Sequence, residues 1–142
     1  MTELSPELIQ LHKRLQNHIN EQKSNWKSFV YAQKMGFYQG FEEILLPGCR
    51  PTEQRLERYG ISKYLTKEKT ALDIGCNCGF FVLHISKFLK YVNGVEINPF
   101  LVNVGNDTKD YLKIGNVDFY ATRFEDFIPE KKYDIIFSLA ND

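Results

Sequence analysis

The segment from Leu72 to Phe81, LDIGCNCGFF, is the feature that most constrains the fold of this chain. It places a short apolar strand, a glycine-bearing turn and the start of a helix in immediate succession. Gly75 lets the backbone turn sharply, and Gly79 removes a side chain where the helix must approach the sheet and a ligand. This order of elements predicts a β-α-β unit with a binding loop at the end of its first strand.

The remainder of the C-terminal half continues the same alternation of strands and helices. The predicted strands are TALDIG, YVNGVEI, VDFYAT and YDIIFSL, and the predicted helices are GFFVLHISKFLK and a segment from Pro99 to Lys113 that ends near Gly115. Strands that alternate with helices are typical of an α/β fold with a parallel sheet. We expect that sheet to be covered by helices on both faces.

The N-terminal segment predicts an amphipathic helix that begins at Ser5-Pro6, with the serine as N-cap and the proline in the first turn. A continuation through Trp26 to about Met35 stays open. The buried face of the predicted N-terminal helix carries apolar residues at helical spacing, and the histidines are expected on its solvated face. The apolar residues are Leu8, Leu11, Leu15 and Ile19, and the histidines are His12 and His18.

The next segment, residues 36–51, is rich in glycine, proline and aromatic residues, which favours an ordered loop or lid. Thr52 is expected to cap a short helix, EQRLERY, which Gly60 ends in a left-handed conformation. We therefore expect residues 1–69 to form a helical extension and lid, and residues 70–142 to form a cofactor-binding domain.

Composition excludes several classes of protein. The 142 residues include 18 basic and 18 acidic side chains, so no overall field draws the chain to nucleic acid or to an anionic membrane. The three cysteines are an odd number, and the C-x-C pair at Cys76 and Cys78 lacks the four ligands that structural zinc requires. We expect no metal, and both cysteines are interpreted as residues that pack the loop. The sequence shows neither a signal peptide nor a membrane-spanning apolar run, so the cytoplasm is the expected location.

An acidic residue completes the pattern of the binding loop. Glu96 ends the next predicted strand, 21 positions after Gly75. A carboxylate at that place can accept both hydroxyl protons of a ribose, while the first turn of the helix after the loop is expected to offer free N–H groups. The loop and the acid together indicate a nucleotide-like ligand.

LDIGCNCGFF followed by VNGVEINP resembles motifs I and II of the class I methyltransferases, which use S-adenosylmethionine and have a Rossmann-like fold. The resemblance implies that Asp73 lies near the methionine amino group and that Glu96 holds the ribose hydroxyls. It implies that Ile97 packs on the adenine, and that the loop lines the methionine and ribose. The loop residues implied are Gly75, Cys76, Asn77 and Gly79.

The sequence departs from the family pattern at two positions. Asn77 replaces the middle glycine, a form similar to that of the wobble-uridine tRNA-modifying enzymes and related small-molecule enzymes. Arg123 stands where many members place an aspartate near the adenine amino group. Glu125 or Asp126 could replace that aspartate, and Phe124 could supply a backbone N–H to the adenine.

The resemblance covers about half of the chain and implies a sheet of seven strands, of which the sequence supplies four. An exposed fourth strand is an aggregation hazard, so we expect either a missing C-terminal half or an oligomer partner at that edge. The acceptor is left open between a small molecule and RNA, and the catalytic residues are unknown. Asn141 and Asp142 follow the fourth strand, where they would meet a substrate.

Two other functions are kept as alternatives. The first is a relative that resembles the carboxymethyl-transferring tRNA enzymes and binds a carboxylated form of the same cofactor. The second is a non-catalytic module whose incomplete sheet docks on another chain. A dinucleotide cofactor is disfavoured because its fingerprint is G-x-G-x-x-G, whereas this loop reads G-C-N-C-G.

Overall fold

The structure is a computed structural model, and it describes residues 4–25, 37–129 and 131–139. The α-helices are α1 (Pro6–Asn25), α2 (Thr52–Tyr59), α3 (Phe80–Ile85) and α4 (Pro99–Leu112). The strands are β1 (Phe37–Gly40), β2 (Gly48–Pro51), β3 (Thr70–Ile74), β4 (Tyr91–Glu96), β5 (Val117–Ala121) and β6 (Ile135–Phe137).

The four strands predicted from the sequence form one parallel sheet in the order β5-β4-β3-β6. Strand β3 is central and pairs Ala71 with Val92 on one side and with Ile135 on the other. The predicted α/β fold with a parallel sheet is confirmed. Because β3 and β4 run side by side, the loop after β3 and the acid that ends β4 lie at the same edge of the sheet.

The expectation that both faces of the sheet are covered is wrong for the residues that the structure describes. The chain steps from β3 to β4 to β5 in one direction, and right-handed crossovers then put α3 and α4 on the same face. That face buries Ala71, Val92 and Val117. On the other face the side chains of Leu72 and Val95 in the two central strands are buried, whereas Tyr120 and Ile136 in the outer strands are 39% and 61% exposed.

The N-terminal helix forms as predicted and packs along α4, while α2 packs on α3. The apolar side chains predicted for its buried face, Leu8, Leu11, Leu15 and Ile19, are all at most 6% exposed. They belong to the same hydrophobic cluster as the side chains of the sheet and of α3. The extension is therefore built onto the core of the sheet.

The two histidines of α1 do not lie on a solvated face as expected. The His12 Nε2 atom lies 2.7 Å from the carbonyl oxygen of Ile44, and the His18 Nε2 atom lies 2.6 Å from an Asp107 carboxylate oxygen of α4. Both rings are half-buried. They face elements that are distant in sequence, which the helical spacing alone cannot reveal.

Residues 37–51 form a small parallel sheet of β1 and β2 where the sequence predicts a loop. Phe37 of β1 and Phe41, which follows it, are both buried. The pairing also changes the role of Thr52, whose hydroxyl donates to the Gly40 carbonyl at 2.6 Å and does not cap α2. Gly60 ends α2 with φ +64° as predicted.

Helix α4 ends within one residue of its predicted end at Lys113. Lys113 adopts the left-handed conformation that ends the helix, with φ +58°, two residues before Gly115. No helix within the described ranges is both long and apolar enough to cross a membrane. The open continuation of α1 through Trp26 to about Met35 lies outside the described residues, as do Asn141 and Asp142.

Candidate functional site

The loop after β3 is shaped by backbone conformations that ordinary residues avoid. Gly75 and Gly79 have φ values of +73° and +78°, and Asn77 between them has φ +57°. Asparagine enters the left-handed region more readily than other side-chain-bearing residues. Its side-chain oxygen also accepts a hydrogen bond from the Cys78 N–H at 2.8 Å. Asn77 in place of the usual glycine is therefore compatible with this loop.

The backbone N–H groups of the loop are directed to acceptors within the protein. Those of Gly75 and Cys76 donate to the Val95 carbonyl at 2.8 and 3.1 Å, and that of Gly79 donates to the Cys76 carbonyl at 3.0 Å. The Phe80 N–H, in the first turn of α3, is 3.3 Å from the side-chain oxygen of Gln39. The expectation of free N–H groups in this turn is therefore wrong for Phe80.

Glu96 joins the loop to the next crossover. One carboxylate oxygen accepts the Asn77 N–H and the other accepts the Asn98 N–H, both at 2.9 Å. The side chain is half-buried. Each carboxylate oxygen has a second lone pair, so Glu96 can accept two further hydrogen bonds from a ligand while its orientation stays fixed.

Asp73 is the second carboxylate of the site and is 4% exposed. Burial raises the pKa of this carboxyl from 3.8 to about 7, the positive charge of Arg55 acts in the opposite direction, and Glu96 raises the pKa further. A buried carboxylate with a like charge nearby is unfavourable in the absence of a cation. The positive charge of Arg55 offsets part of this cost, and a further cation beside Asp73 would offset more of it.

The two loop cysteines pack the interior, as predicted. Cys76 and Cys78 are 2% and 1% exposed, and burial raises the pKa of both thiols above the ordinary value. Neither side chain is suited to act as a nucleophile, because the thiolate is the reactive form. In the ranges that the structure describes, no cluster of three or more His, Cys, Asp or Glu side chains is arranged to bind a metal.

The Phe119 ring is the platform on which the loop, β4 and α4 meet. A Cβ atom at Gly79 would lie 2.4 Å from this ring, and Cβ atoms at Gly94 and Gly105 would lie 2.9 and 3.0 Å from it. Glycine at these positions lets three backbone segments approach one aromatic side chain. The predicted role of Gly79 in close helix packing has a direct structural basis here.

The residues implied for adenine contacts lie on the outer side of the site. Ile97 follows Glu96 and is 52% exposed, and Phe124 is 48% exposed. The Thr122 N–H donates to the Glu96 carbonyl at 3.1 Å, which brings the segment that contains Phe124 to the end of β4. Glu125, proposed as a substitute for the family aspartate, forms an exposed ion pair with Arg123 at 2.7 Å.

His84 packs against two aromatic side chains of the protein. It is half-buried on α3, with its ring edge-on to those of Phe41 and Phe88. Burial lowers its pKa below 6.5, while Glu53 and Glu42 act in the opposite direction. These ring contacts give His84 a packing role at the margin of the core.

Three polar residues near the site were not found by sequence reasoning. Gln39, Gln22 and Asn98 are 4%, 3% and 4% exposed. Asn98 precedes Pro99 at the start of α4, a local N-cap signal that could have been read. The glutamines lie in distant elements, and their spacing carries no signal that Gln39 reaches the Phe80 N–H or that Gln22 reaches Asn98.

Comparison with known proteins identifies the family. Residues 65–141, more than half of the chain, match the family described as methyltransferase domain. The chain belongs to this methyltransferase family. It shares 33% identity over 69 residues with the 23S rRNA (uracil(1939)-C(5))-methyltransferase RlmD of Francisella tularensis, a match that covers 49% of the chain and 15% of that protein.

A second relative and a solved structure agree with this placement. The chain is 33% identical over 79 residues to malonyl-acyl-carrier-protein O-methyltransferase 1 of Ilyobacter polytropus, covering 52% of the chain and 28% of the relative. The fold matches that of an S-adenosylmethionine-dependent methyltransferase from Geobacter sulfurreducens solved with S-adenosylhomocysteine. That match has a TM-score of 0.55 at 13% identity and covers 62% of this chain and 36% of the other. The chain thus spans less than a third of both curated relatives.

The predicted Rossmann-like methyltransferase fold and the predicted cofactor, S-adenosylmethionine, are confirmed by the family match and these neighbours. The chemistry of the site fits this cofactor. An ammonium group and two ribose hydroxyls are donors, which suit the carboxylates of Asp73 and Glu96. A pyrophosphate would meet two carboxylates and a loop whose N–H groups already have acceptors, so a dinucleotide fits poorly.

Proposed function

We propose that this chain supplies the cofactor-binding half of an S-adenosylmethionine-dependent methyltransferase. The observation that carries the proposal is the pair of carboxylates, Asp73 and Glu96, at the ends of two neighbouring parallel strands. Between them lies a loop whose backbone is fixed by Glu96 itself. These two acids suit the two donor groups of the cofactor, which are the methionine ammonium group and the ribose hydroxyls.

Each site residue receives a role in this proposal. Asp73 binds the methionine ammonium group, and Glu96 binds the ribose hydroxyls. Ile97 covers one face of the adenine, and the Phe124 N–H donates to its ring. The loop lines the methionine and ribose through its backbone, at Gly75, Cys76, Asn77 and Gly79.

The chemistry requires little beyond this positioning. The cofactor supplies a methyl group on a sulfonium, and transfer breaks the sulfur–carbon bond, forms a bond to the acceptor and leaves S-adenosylhomocysteine. An in-line displacement is accelerated chiefly by alignment of the two reactants and by exclusion of water. A base is needed only when the acceptor must lose a proton before attack. The chain's part is therefore to hold the cofactor.

The acceptor is proposed to be RNA or a small molecule. By their names, the curated relatives methylate a uracil carbon of ribosomal RNA and an oxygen of a malonyl-acyl carrier protein. A transfer assay with a labelled methyl group distinguishes these acceptors: incorporation into total RNA supports the first class, and incorporation into acyl thioesters supports the second. Transfer to neither from a cofactor-loaded sample would contradict this part of the proposal.

We propose further that another element covers the open face of the sheet. This element belongs either to more of the same chain or to a partner. Ile136 at the β6 edge is 61% exposed and Ile128 is 85% exposed. A cavity of about 550 Å³ on this face is lined by Asn93, Asp118 and Tyr120, among others. Exposed apolar side chains beside an unpaired strand are typical of a surface that docks another element.

We also propose that residues 1–69 act as an extension and lid over the cofactor domain of residues 70–142. Gln39 supports this, because its buried side chain reaches the Phe80 N–H beside the loop. The lid would therefore contact the methionine end of the site.

Calorimetric titration with S-adenosylhomocysteine tests the site. Saturable 1:1 binding is expected, and Glu96→Gln should weaken it by about 10-fold to 100-fold, because a charge-assisted hydrogen bond contributes about 1.5–3 kcal/mol. Glu57→Gln, the same change at an exposed position of α2, is the matched control and should bind as the wild type does. Equal affinity of the Glu96 variant and the control would contradict the assignment.

A further inference from the structure

A chain of hydrogen bonds connects the N-terminal helix to the carboxylate proposed to bind the ribose. Glu96 is held by two backbone N–H groups, one from Asn77 in the loop and one from Asn98, each at 2.9 Å. The position of the Glu96 carboxylate therefore depends on where the backbone of Asn98 lies.

Asn98 is itself fixed by both ends of its side chain. Its oxygen accepts the Phe100 N–H at 3.0 Å and so caps α4, which leaves its amide nitrogen to donate to the side-chain oxygen of Gln22. Both amide side chains are almost fully buried, at 4% and 3% exposed. A buried donor without a partner is costly, so this pair fixes where α1 lies against the start of α4.

We propose that Gln22 is a positioning residue for the ribose end of the cofactor site, acting through Asn98 on Glu96. The inference rests on the proposed role of Glu96. It gives the N-terminal extension a part in binding the ribose end of the cofactor, because Gln22 acts from a distance through Asn98 and Glu96. Loss of the Gln22 contact frees the start of α4 to shift, and Glu96 then loses the orientation that two hydroxyl groups require.

A purely structural role for Gln22 makes a different prediction, and the chain provides a matched control. His18 lies one turn before Gln22 on α1 and also links α1 to α4, through Asp107 at 2.6 Å. Asp107 lies in the middle of α4, nine residues beyond Asn98. Removal of this contact weakens the same helix pair without touching the chain of hydrogen bonds to Glu96.

The experiment compares the affinity of each protein for S-adenosylhomocysteine and for its 2′-deoxy analogue. The affinity for S-adenosylhomocysteine divided by the affinity for the analogue measures how strongly the site binds the 2′-hydroxyl group of the ribose. Because both ligands are titrated into one sample, the ratio does not depend on the fraction of the variant that is folded. Gln22→Met, which keeps the length of the side chain, should lower this ratio about fivefold, as expected for one hydrogen bond.

His18→Leu should leave the ratio at its wild-type value. Asn98→Ser removes the same hydrogen bond from the other side, because serine keeps a side-chain oxygen for the helix cap but cannot reach Gln22. This variant should lower the ratio as Gln22→Met does. Equal ratios in Gln22→Met and His18→Leu would overturn the inference. A wild-type chain without affinity for S-adenosylhomocysteine, or a Glu96→Gln variant with an unchanged ratio, would instead overturn the proposed site on which the inference rests.

Discussion

Replacement of Asp73 by asparagine should stabilise the ligand-free protein at neutral pH while it weakens cofactor binding. Burial, aided by Glu96, raises the pKa of the Asp73 carboxyl from 3.8 to about 7 in the folded chain. A tenfold change in a proton-binding constant corresponds to about 1.4 kcal/mol. The ionised carboxyl therefore costs the folded state roughly 4 kcal/mol above the folded pKa.

The dependence on pH follows from the direction of the shift. Between about pH 4 and about pH 7, the folded chain binds more protons at Asp73 than the unfolded chain does, so the free energy of unfolding falls as the pH rises. The asparagine side chain has no such charge. The stability advantage of Asp73→Asn over the wild type should grow by roughly 2 to 3 kcal/mol between about pH 5 and about pH 8.

Urea denaturation of both proteins across this range measures the difference. Asp118→Asn, the same change at an exposed position of β5, is the matched control for the loss of one carboxylate. Calorimetry at neutral pH should show that Asp73→Asn also loses affinity for S-adenosylmethionine. A stability difference for Asp73→Asn that is flat, or that shrinks as the pH rises, would refute the reasoning.

Three further substitutions test separate contacts. Gly94→Ala would place a Cβ atom 2.8 Å from the buried sulfur atom of Cys76. It should lower the free energy of unfolding, measured by urea denaturation, by about 1–3 kcal/mol. Gly115→Ala, which has open space around it, should not lower the free energy of unfolding. Ile97→Ala should leave the melting temperature unchanged, because the side chain is 52% exposed, but should weaken S-adenosylhomocysteine binding about fivefold in calorimetry, since apolar contact with the adenine is lost. Thr52→Val keeps the shape of the side chain but removes the buried bond to Gly40, and chemical denaturation should show a loss of about 1–3 kcal/mol.

The sheet and the binding loop could be predicted because their signals are local. The apolar strand before Gly75, the glycine at Gly79 and the acid at Glu96 lie within one β-α-β unit. The pattern that predicts the binding loop therefore lies within one continuous stretch of sequence, residues 72–96. The boundaries of β3, β4 and β5 agree with the predicted strands to within about one residue.

The parts that could not be predicted depend on contacts between distant segments. The pairing of β1 with β2 decides the role of Thr52. This pairing could not be predicted because the glycine- and proline-rich sequence of residues 36–51 also fits a loop. The partners of His18 and Gln22 are 89 and 76 residues away along the chain. An amphipathic pattern shows which residues face inward, but not which polar group they meet there.

The central claim is that the cofactor lies at the ends of β3 and β4, on the loop that Glu96 holds. Amide chemical shifts of the ¹⁵N-labelled chain during a titration with S-adenosylhomocysteine test this claim most directly. The account predicts that the largest changes occur at residues 75–79 and at Ile97, with smaller changes at Asp118 on the open face of the sheet. Changes centred on Asp118 and Tyr120, with the loop amides unmoved, would contradict it.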